Sequence, residues 1–229
     1  LEPVELCTWI KVSLNAGTQE TYAKIHRTNP KDWDRVWSGI RNAVKRKGNC
    51  TIGVQSVVLP ENVYEMEKLA WLCMAAGVNY LVLKPYSQAT FMLSHQYEQV
   101  DYVPMREELA RVAAMSTKDF KVIYRKNAIG EEIGKKHSYD KCRSTPSVWV
   151  YSKGDGDVIS CSAHLMDQRF NIGNMNKNTF KEIWEGEGRR QNWELMQTFN
   201  INQCRLNCRQ NNSNKYMHQI VHAAHKNFI

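Results

Sequence analysis

The sequence lacks any apolar run near the about 18 unbroken residues that a membrane-spanning helix needs. Its best candidate, residues 71–83, is interrupted by Gly77 and Asn79, so no membrane association is expected. Internal repeats, low-complexity tracts and dense runs of one charge are also missing, and 42% hydrophobic with 24% charged residues is ordinary globular composition. Collagen-like, fibrous and wholly disordered classes are thereby excluded. There is no initiator Met at Leu1 and no basic-then-apolar leader, so the expectation is a cytoplasmic protein.

What is present is a 229-residue chain, long enough for a real core, with a net charge of +8 concentrated in its later half. The positive charges are scattered, which reads as a solvated basic surface and makes nucleic acid an unlikely partner. Seven cysteines, an odd number without a secretory signal, point away from a disulfide framework and towards metal or redox use.

Periodicity divides the chain in two. Trp9-Ile10-Lys11-Val12-Ser13-Leu14 alternates as a strand, and residues 51–58, 80–83 and 120–124 read as further strands. Between them lie helical patterns. One opens at Asn29-Pro30 with Trp33, Val36, Trp37, Ile40 and Val44 on one face. Another opens on a capping-box pair, Asn62 and Glu65, with Met66, Leu69, Ala70 and Cys73 as its stripe, and a third covers residues 105–115. Alternating strands and helices predict a parallel sheet covered on both faces, with functional groups at the strand C-terminal ends, where Ser13, Asn15, Gln55 and Lys84 fall. Because Leu1 precedes a strand that should be interior, further strands are expected upstream. From about residue 138 the chain turns to Cys, Asn, Gly and Trp, with a hairpin expected from 148–151 and 157–160, and helices from Asn178 and over 213–222.

Cys142, Cys161, Cys204 and Cys208 all lie in this second module. Four soft sulfur ligands suit one tetrahedral zinc or one cubane iron–sulfur cluster. Cys73, Cys50 and Cys7 read as buried or incidental thiols. A rival grouping takes Cys204-x3-Cys208 with His218-x3-His222 as a two-Cys, two-His zinc module with a nucleic-acid or structural role, although its loop is short and lacks the apolar residues that pack a finger's helix.

Cys142, Gly156 and Cys161 at their spacing, the closing Cys204-x3-Cys208, and Asn171-Ile172-Gly173-Asn174 followed by Phe180-Lys181-Glu182-Ile183-Trp184 resemble the SPASM and twitch modules of radical S-adenosylmethionine (SAM) enzymes. Ser13-Leu14-Asn15-Ala16, Gln55-Ser56-Val57-Val58 and Leu83-Lys84-Pro85 resemble strands four to six of the same family's barrel. The resemblance implies an α/β fold: the C-terminal half of a partial (β/α)6 barrel over residues 1–137, then a small cysteine-rich α+β domain over 138–229. It implies an oxidoreductase- or transferase-like enzyme using a 5′-deoxyadenosyl radical for hydrogen abstraction, with a peptide, sugar or small-molecule substrate and a flavodoxin or ferredoxin as electron donor. Cys142, Cys161, Cys204 and Cys208 would hold one auxiliary 4Fe–4S cluster for electron relay, as in the one-cluster twitch form. Ser13 and Asn15 would bind polar atoms of SAM, Gln55 the ribose, and Lys84 a carboxylate or substrate anion. The Cys-x3-Cys-x2-Cys loop that holds the SAM-cleaving cluster is absent from all 229 residues. That second cluster is expected only in a full-length enzyme, and this chain alone is expected to be inactive.

Overall fold

The computed structural model describes residues 2–134 and 136–223, so Leu1, on which the expectation of upstream strands leaned, lies outside it. The chain forms two compact units. One comprises residues up to Tyr86 with Tyr97–Ile133, the other Ser87–Gln96 with the chain from Gly134 onward.

In the first unit β1 (Trp9–Ser13), β2 (Thr51–Val58), β3 (Tyr80–Pro85) and β4 (Lys121–Tyr124) make a four-stranded parallel sheet in that order. Parallel neighbours need a crossover connection. These are α1 (Gln19–His26) with α2 (Asp32–Lys45), then α3 (Met66–Ala75), then α4 (Arg106–Ala113); α5 (Lys126–Gly134) follows β4. The two faces of the sheet differ. Ile52, Val54, Val58, Leu81 and Leu83 are buried in one core with Ile40, Leu69 and Leu109 of the helices. The opposite face carries Trp9, Lys11 and Ser13 on β1, all exposed, and Gln55, Val57 and Lys84, all half-buried. Helices thus cover one face only, which departs from the two-sided cover expected of an open parallel sheet and is the arrangement of a barrel wall, whose second face looks inward.

The local chemistry explains most boundaries. Thr18 caps α1 by accepting from the Thr21 amide at 3.3 Å. Asn29 turns the chain into α2 by accepting from the Lys31 amide at 3.0 Å. In α3 the expected stripe of Met66, Leu69, Ala70 and Cys73 is fully buried, which pushes the Cys73 thiol up to about 12. The expected capping box between Asn62 and Glu65 does not form, because both side chains serve other loops. Buried Asn62 accepts from the Leu59 amide at 2.8 Å and donates to the carbonyls of Asn15 and Val57, both at 2.9 Å. Glu65 accepts from the Gly17 amide at 2.8 Å and from the hydroxyls of Thr18 and Thr21. A single polar network therefore ties the end of β1 to the end of β2.

His26 belongs to that network. Its Nε2 accepts from the Asn15 amide at 3.1 Å, a role only the neutral ring can play, and its ring stacks on Tyr22 at 4.5 Å. Burial holds its pKa below the ordinary imidazole value. The unfolded chain then takes up a proton that the folded chain refuses, so folding free energy falls as pH drops below about 6.5 and levels off once the folded-state pKa is passed. Urea denaturation at about pH 7.5 and about pH 5.5 should show this loss in the wild type and a smaller one in His26→Gln. Equal losses in both proteins would remove His26 from the account.

The second unit contains α6 (Thr145–Val148), then β5 (Tyr151–Ser152), β6 (Asp157–Ile159) and β7 (Asn171–Asn174) as an antiparallel sheet in that order. α7 (Phe180–Glu185), α8 (Glu187–Thr198) and α9 (Asn211–Val221) complete it. The expected hairpin is present but its first strand is shorter, because Pro146 in the first turn of α6 takes Val148 into that helix. Gly156 turns the hairpin at φ 86°, with the side chains of Asn174 and Asn176 packed where a Cβ would stand, so only glycine fits. α7 has a full capping box, Thr179 with Glu182, and buries Ile183 while leaving Phe180 exposed. In place of one large core there are two small apolar groups: Ile159, Cys161, Ala163, Phe170 and Met196, and Val158, Ile172 and Ile183.

Candidate metal centre

Each of the four cysteines of the second unit sits where an irregular segment meets an element. Cys142 precedes α6, Cys161 follows β6, Cys204 follows the 3-10 turn Ile201–Gln203, and Cys208 precedes α9. No disulfide joins any of them. The thiols converge electrostatically: Cys204 senses Cys161, Cys208 and Cys142, and Cys161 senses Cys208 and Cys142. Burial pushes Cys161 up to about 11 and Cys204 up to about 12, and raises Cys208 as well. Without a metal these groups are neutral thiols, and binding one requires them to release protons.

Amide donors already address the sulfurs. Cys161 accepts from the Ala163 amide at 3.4 Å, Cys208 from the Gln210 amide at 3.3 Å, and Cys142 from Nδ2 of Asn214 at 3.4 Å. The Cys142 thiol donates to the Thr145 hydroxyl at 3.2 Å. Asn214, buried on α9, also accepts from the amides of Arg143 at 2.7 Å and Ser144 at 2.9 Å, and so fixes the loop that presents Cys142.

The leftover polar atoms test whether a resident cluster fits. Buried side-chain atoms without a hydrogen-bond partner include Ser144 Oγ, Ser160 Oγ, His164 Nε2, Arg205 Nε and Gln210 Nε2. Every one of these belongs to a residue within three positions of a candidate ligand. Orphaned buried donors are rare in folded chains, and here they cluster around the thiols, so a group offering sulfide or thiolate acceptors suits this shell. Among the described residues the one group of three ligand atoms within 4.8 Å of one another is Asp140, His218 and His222.

The same observation separates the rival zinc-module set. His218 Nδ1 lies 3.0 Å from Asp140 Oδ1, and both histidines pair with Asp140 while Cys204 and Cys208 join Cys142 and Cys161. His164, three residues after Cys161, is buried, its ring stacked on Phe170 at 4.2 Å.

On the first unit's sheet, strand register puts Ser13 opposite Gln55 and Val57 opposite Lys84. Since side chains alternate and parallel partners share a side, Ser13, Gln55 and Lys84 all stand on the uncovered face. Gln55 Oε1 accepts from Lys11 Nζ at 3.0 Å. Asn15 lies past the end of β1, and its Oδ1 accepts from the Val57 amide at 2.8 Å, so its side-chain oxygen is engaged in the loop network. Sequence reasoning missed Asn214 and Asp140. The polar stripe Asn214, His218, His222 at four-residue spacing was the signal that one face of α9 is devoted to this loop.

Residues 142–209 match a family described as SPASM, an iron–sulfur cluster-binding domain. No curated protein matches the chain. Among solved structures, the crystal structure of Streptococcus suis SuiB is similar at a TM-score of 0.57 and 13% identity, covering 78% of this chain and 43% of that one. SuiB bound to S-adenosylmethionine gives 0.57 and 12%, covering 78% of this chain and 42% of that one. SuiB bound to precursor peptide SuiA gives 0.57 and 12%, covering 83% and 44%. The chain therefore spans less than half the length of the SuiB chains it matches. Among the described residues no helix is long and apolar enough to cross a membrane. Residues 142–209 thus match an iron–sulfur cluster-binding SPASM domain, carried by a chain whose α/β fold, with its four-stranded parallel sheet, is similar to that of SuiB.

Proposed function

We propose that these 229 residues supply the later barrel strands and one auxiliary 4Fe–4S cluster of a radical SAM enzyme that abstracts hydrogen from a peptide substrate. The observation that carries this reading is the mutual electrostatic influence of four thiols, with orphaned buried polar groups within three residues of each, inside the segment that matches the SPASM family. The peptide class rests on the similarity to SuiB, whose structure with precursor peptide SuiA covers 83% of this chain.

A bound cluster exchanges single electrons. The chain's residues set the conditions for that exchange. Cys142, Cys161, Cys204 and Cys208 would hold the four irons of a cluster, and with no iron left open that cluster would serve electron relay. The Ala163 and Gln210 amides and the Asn214 side chain donate to the cysteine sulfurs and would favour the more negative, reduced state of a bound cluster. Ser13, Gln55 and Lys84, together on the sheet's uncovered face, line the side on which SAM would lie, with Ser13 and Gln55 offering hydrogen bonds to its polar atoms and Lys84 meeting a carboxylate. Asn15 positions the β1 loop and contributes through its backbone and Nδ2. The SAM-cleaving cluster needs the Cys-x3-Cys-x2-Cys loop, which these residues do not contain, so it and the electron donor that feeds it act from outside this segment.

The test is iron, sulfide and zinc analysis with absorbance and EPR spectra after anaerobic reconstitution. About four irons and four sulfides per chain, with a broad brown absorbance that bleaches on reduction, is the expected result. One zinc and no sulfide would overturn it. With SAM and dithionite the same protein should make no 5′-deoxyadenosine, and turnover would show that it cleaves SAM after all.

A further inference from the structure

We propose that Asp140, His218 and His222 form a second metal site, a divalent-cation clamp selective for zinc-like ions, that fastens α9 to the loop leading into Cys142. The site is built from one helix face and one loop. His218 and His222 are four residues apart on α9, so their rings stand one above the other, with centroids 4.2 Å apart. Asp140 faces both: its Oδ1 is 3.0 Å from His218 Nδ1 and its Oδ2 is 3.8 Å from His222 Nε2. All three ligand atoms lie within 4.8 Å of one another, close enough for one ion to touch each after small side-chain rotations.

The donor set decides the class of ion. Two imidazoles and one carboxylate suit zinc(II), copper(II) or nickel(II), whereas magnesium and calcium prefer all-oxygen shells. Three protein ligands leave a fourth position to water. Arg143, whose Nη1 is 2.7 Å from Asp140 Oδ1, places a positive charge nearby. A carboxylate has about four lone-pair positions, so Asp140 can bind an ion and still accept from Arg143. Arg143 is then a positioning residue that aims the carboxylate, as hydrogen-bonded ligand carboxylates commonly are.

The clamp also has a place in the fold. Asn214, His218 and His222 follow one another at four-residue spacing, and Asn214 already holds the amides of Arg143 and Ser144 and the Cys142 sulfur. An ion at the two histidines extends the same seam towards the end of α9 and pins the chain two residues before Cys142. No cysteine takes part, so the site is separate from the thiol centre.

The experiment titrates the cluster-loaded chain, free of any affinity tag, with zinc chloride under anaerobic conditions and counts bound zinc and iron after gel filtration. The wild type should gain one zinc per chain. His222→Ala, with its side chain 51% exposed and the fold therefore undisturbed, should bind that zinc at least about tenfold more weakly at unchanged iron content. His218→Ala should behave alike. Copper(II) in place of zinc should give an EPR spectrum with hyperfine structure from two imidazole nitrogens in the wild type and one in His222→Ala. Equal zinc binding in wild type and both variants, or none in the wild type, would overturn the site and leave an Arg143–Asp140–histidine ion-pair network. Because the readout is the difference between wild type and variant, it holds whatever metal the four thiols carry.

Discussion

Cys204→Ala should leave the reconstituted protein with little iron or sulfide. The thiol is pushed up to about 12 by burial and by the three neighbouring sulfurs, so no water or hydroxide replaces it cheaply as a ligand in that enclosed position. The cubane then has an iron without its protein ligand, and it degrades or drops to a smaller cluster. Iron and sulfide analysis of wild type and variant, reconstituted side by side, reads the effect. Cys73→Ala is the control: that thiol is likewise raised to about 12 and is fully buried, but it lies in the first unit's core and should leave iron content unchanged. A Cys204→Ala protein that keeps its full iron would remove this residue from the ligand set.

The second large effect is on folding. Asn62→Ala deletes three hydrogen bonds from a site with no exposed surface, strands the Leu59 amide and the Asn15 carbonyl, and leaves the Val57 carbonyl only the Ser56 hydroxyl at 3.5 Å. Each unsatisfied buried group costs about 1–3 kcal/mol, so a loss of about 3–5 kcal/mol in unfolding free energy is expected. Asn62→Asp keeps the acceptor for Leu59 but sets a carboxylate oxygen against the Asn15 and Val57 carbonyls in a buried site, and should lose at least as much as alanine. Denaturation curves for the three proteins settle the order, and a loss below about 1 kcal/mol for alanine would mean that the network is not what joins these strand ends.

The strands of the first unit were legible because β-branched runs and helical stripes alternate at βαβ spacing, and Met66, Leu69, Ala70 and Cys73 are buried as their period requires. The order of the strands followed from that alternation. What the pattern did not show was which face of the sheet is bare, since Gln55, Val57 and Lys84 mix polar and apolar character on one side. The Asn62 and Glu65 pair was misread for a physical reason: a capping box and a long-range loop network use the same side chains, and only tertiary placement decides between them. β7 was hidden because Asn171-Ile172-Gly173-Asn174 carries one apolar residue and a glycine. α8 was hidden by a polar sequence interrupted by Gly188 and Arg189-Arg190. The four thiols were legible as a group from spacing and residue type, and in the structure they sense one another electrostatically. Asp140 was not, because a lone carboxylate declares nothing until α9 brings the histidines to it.

Cys161 belongs to one of the second unit's two small apolar groups, with Cys142 and Cys204 packed against the same group. The proposed cluster site is therefore also part of the unit's hydrophobic interior. Oxidative loss of iron would remove the unit's keystone, and the damage would surface as loosened chain rather than as a folded apoprotein awaiting reloading. A protease present in small amounts would then act as an oxygen gauge, cutting between Tyr139 and Cys208 in proportion to the fraction of chains that have lost their cluster.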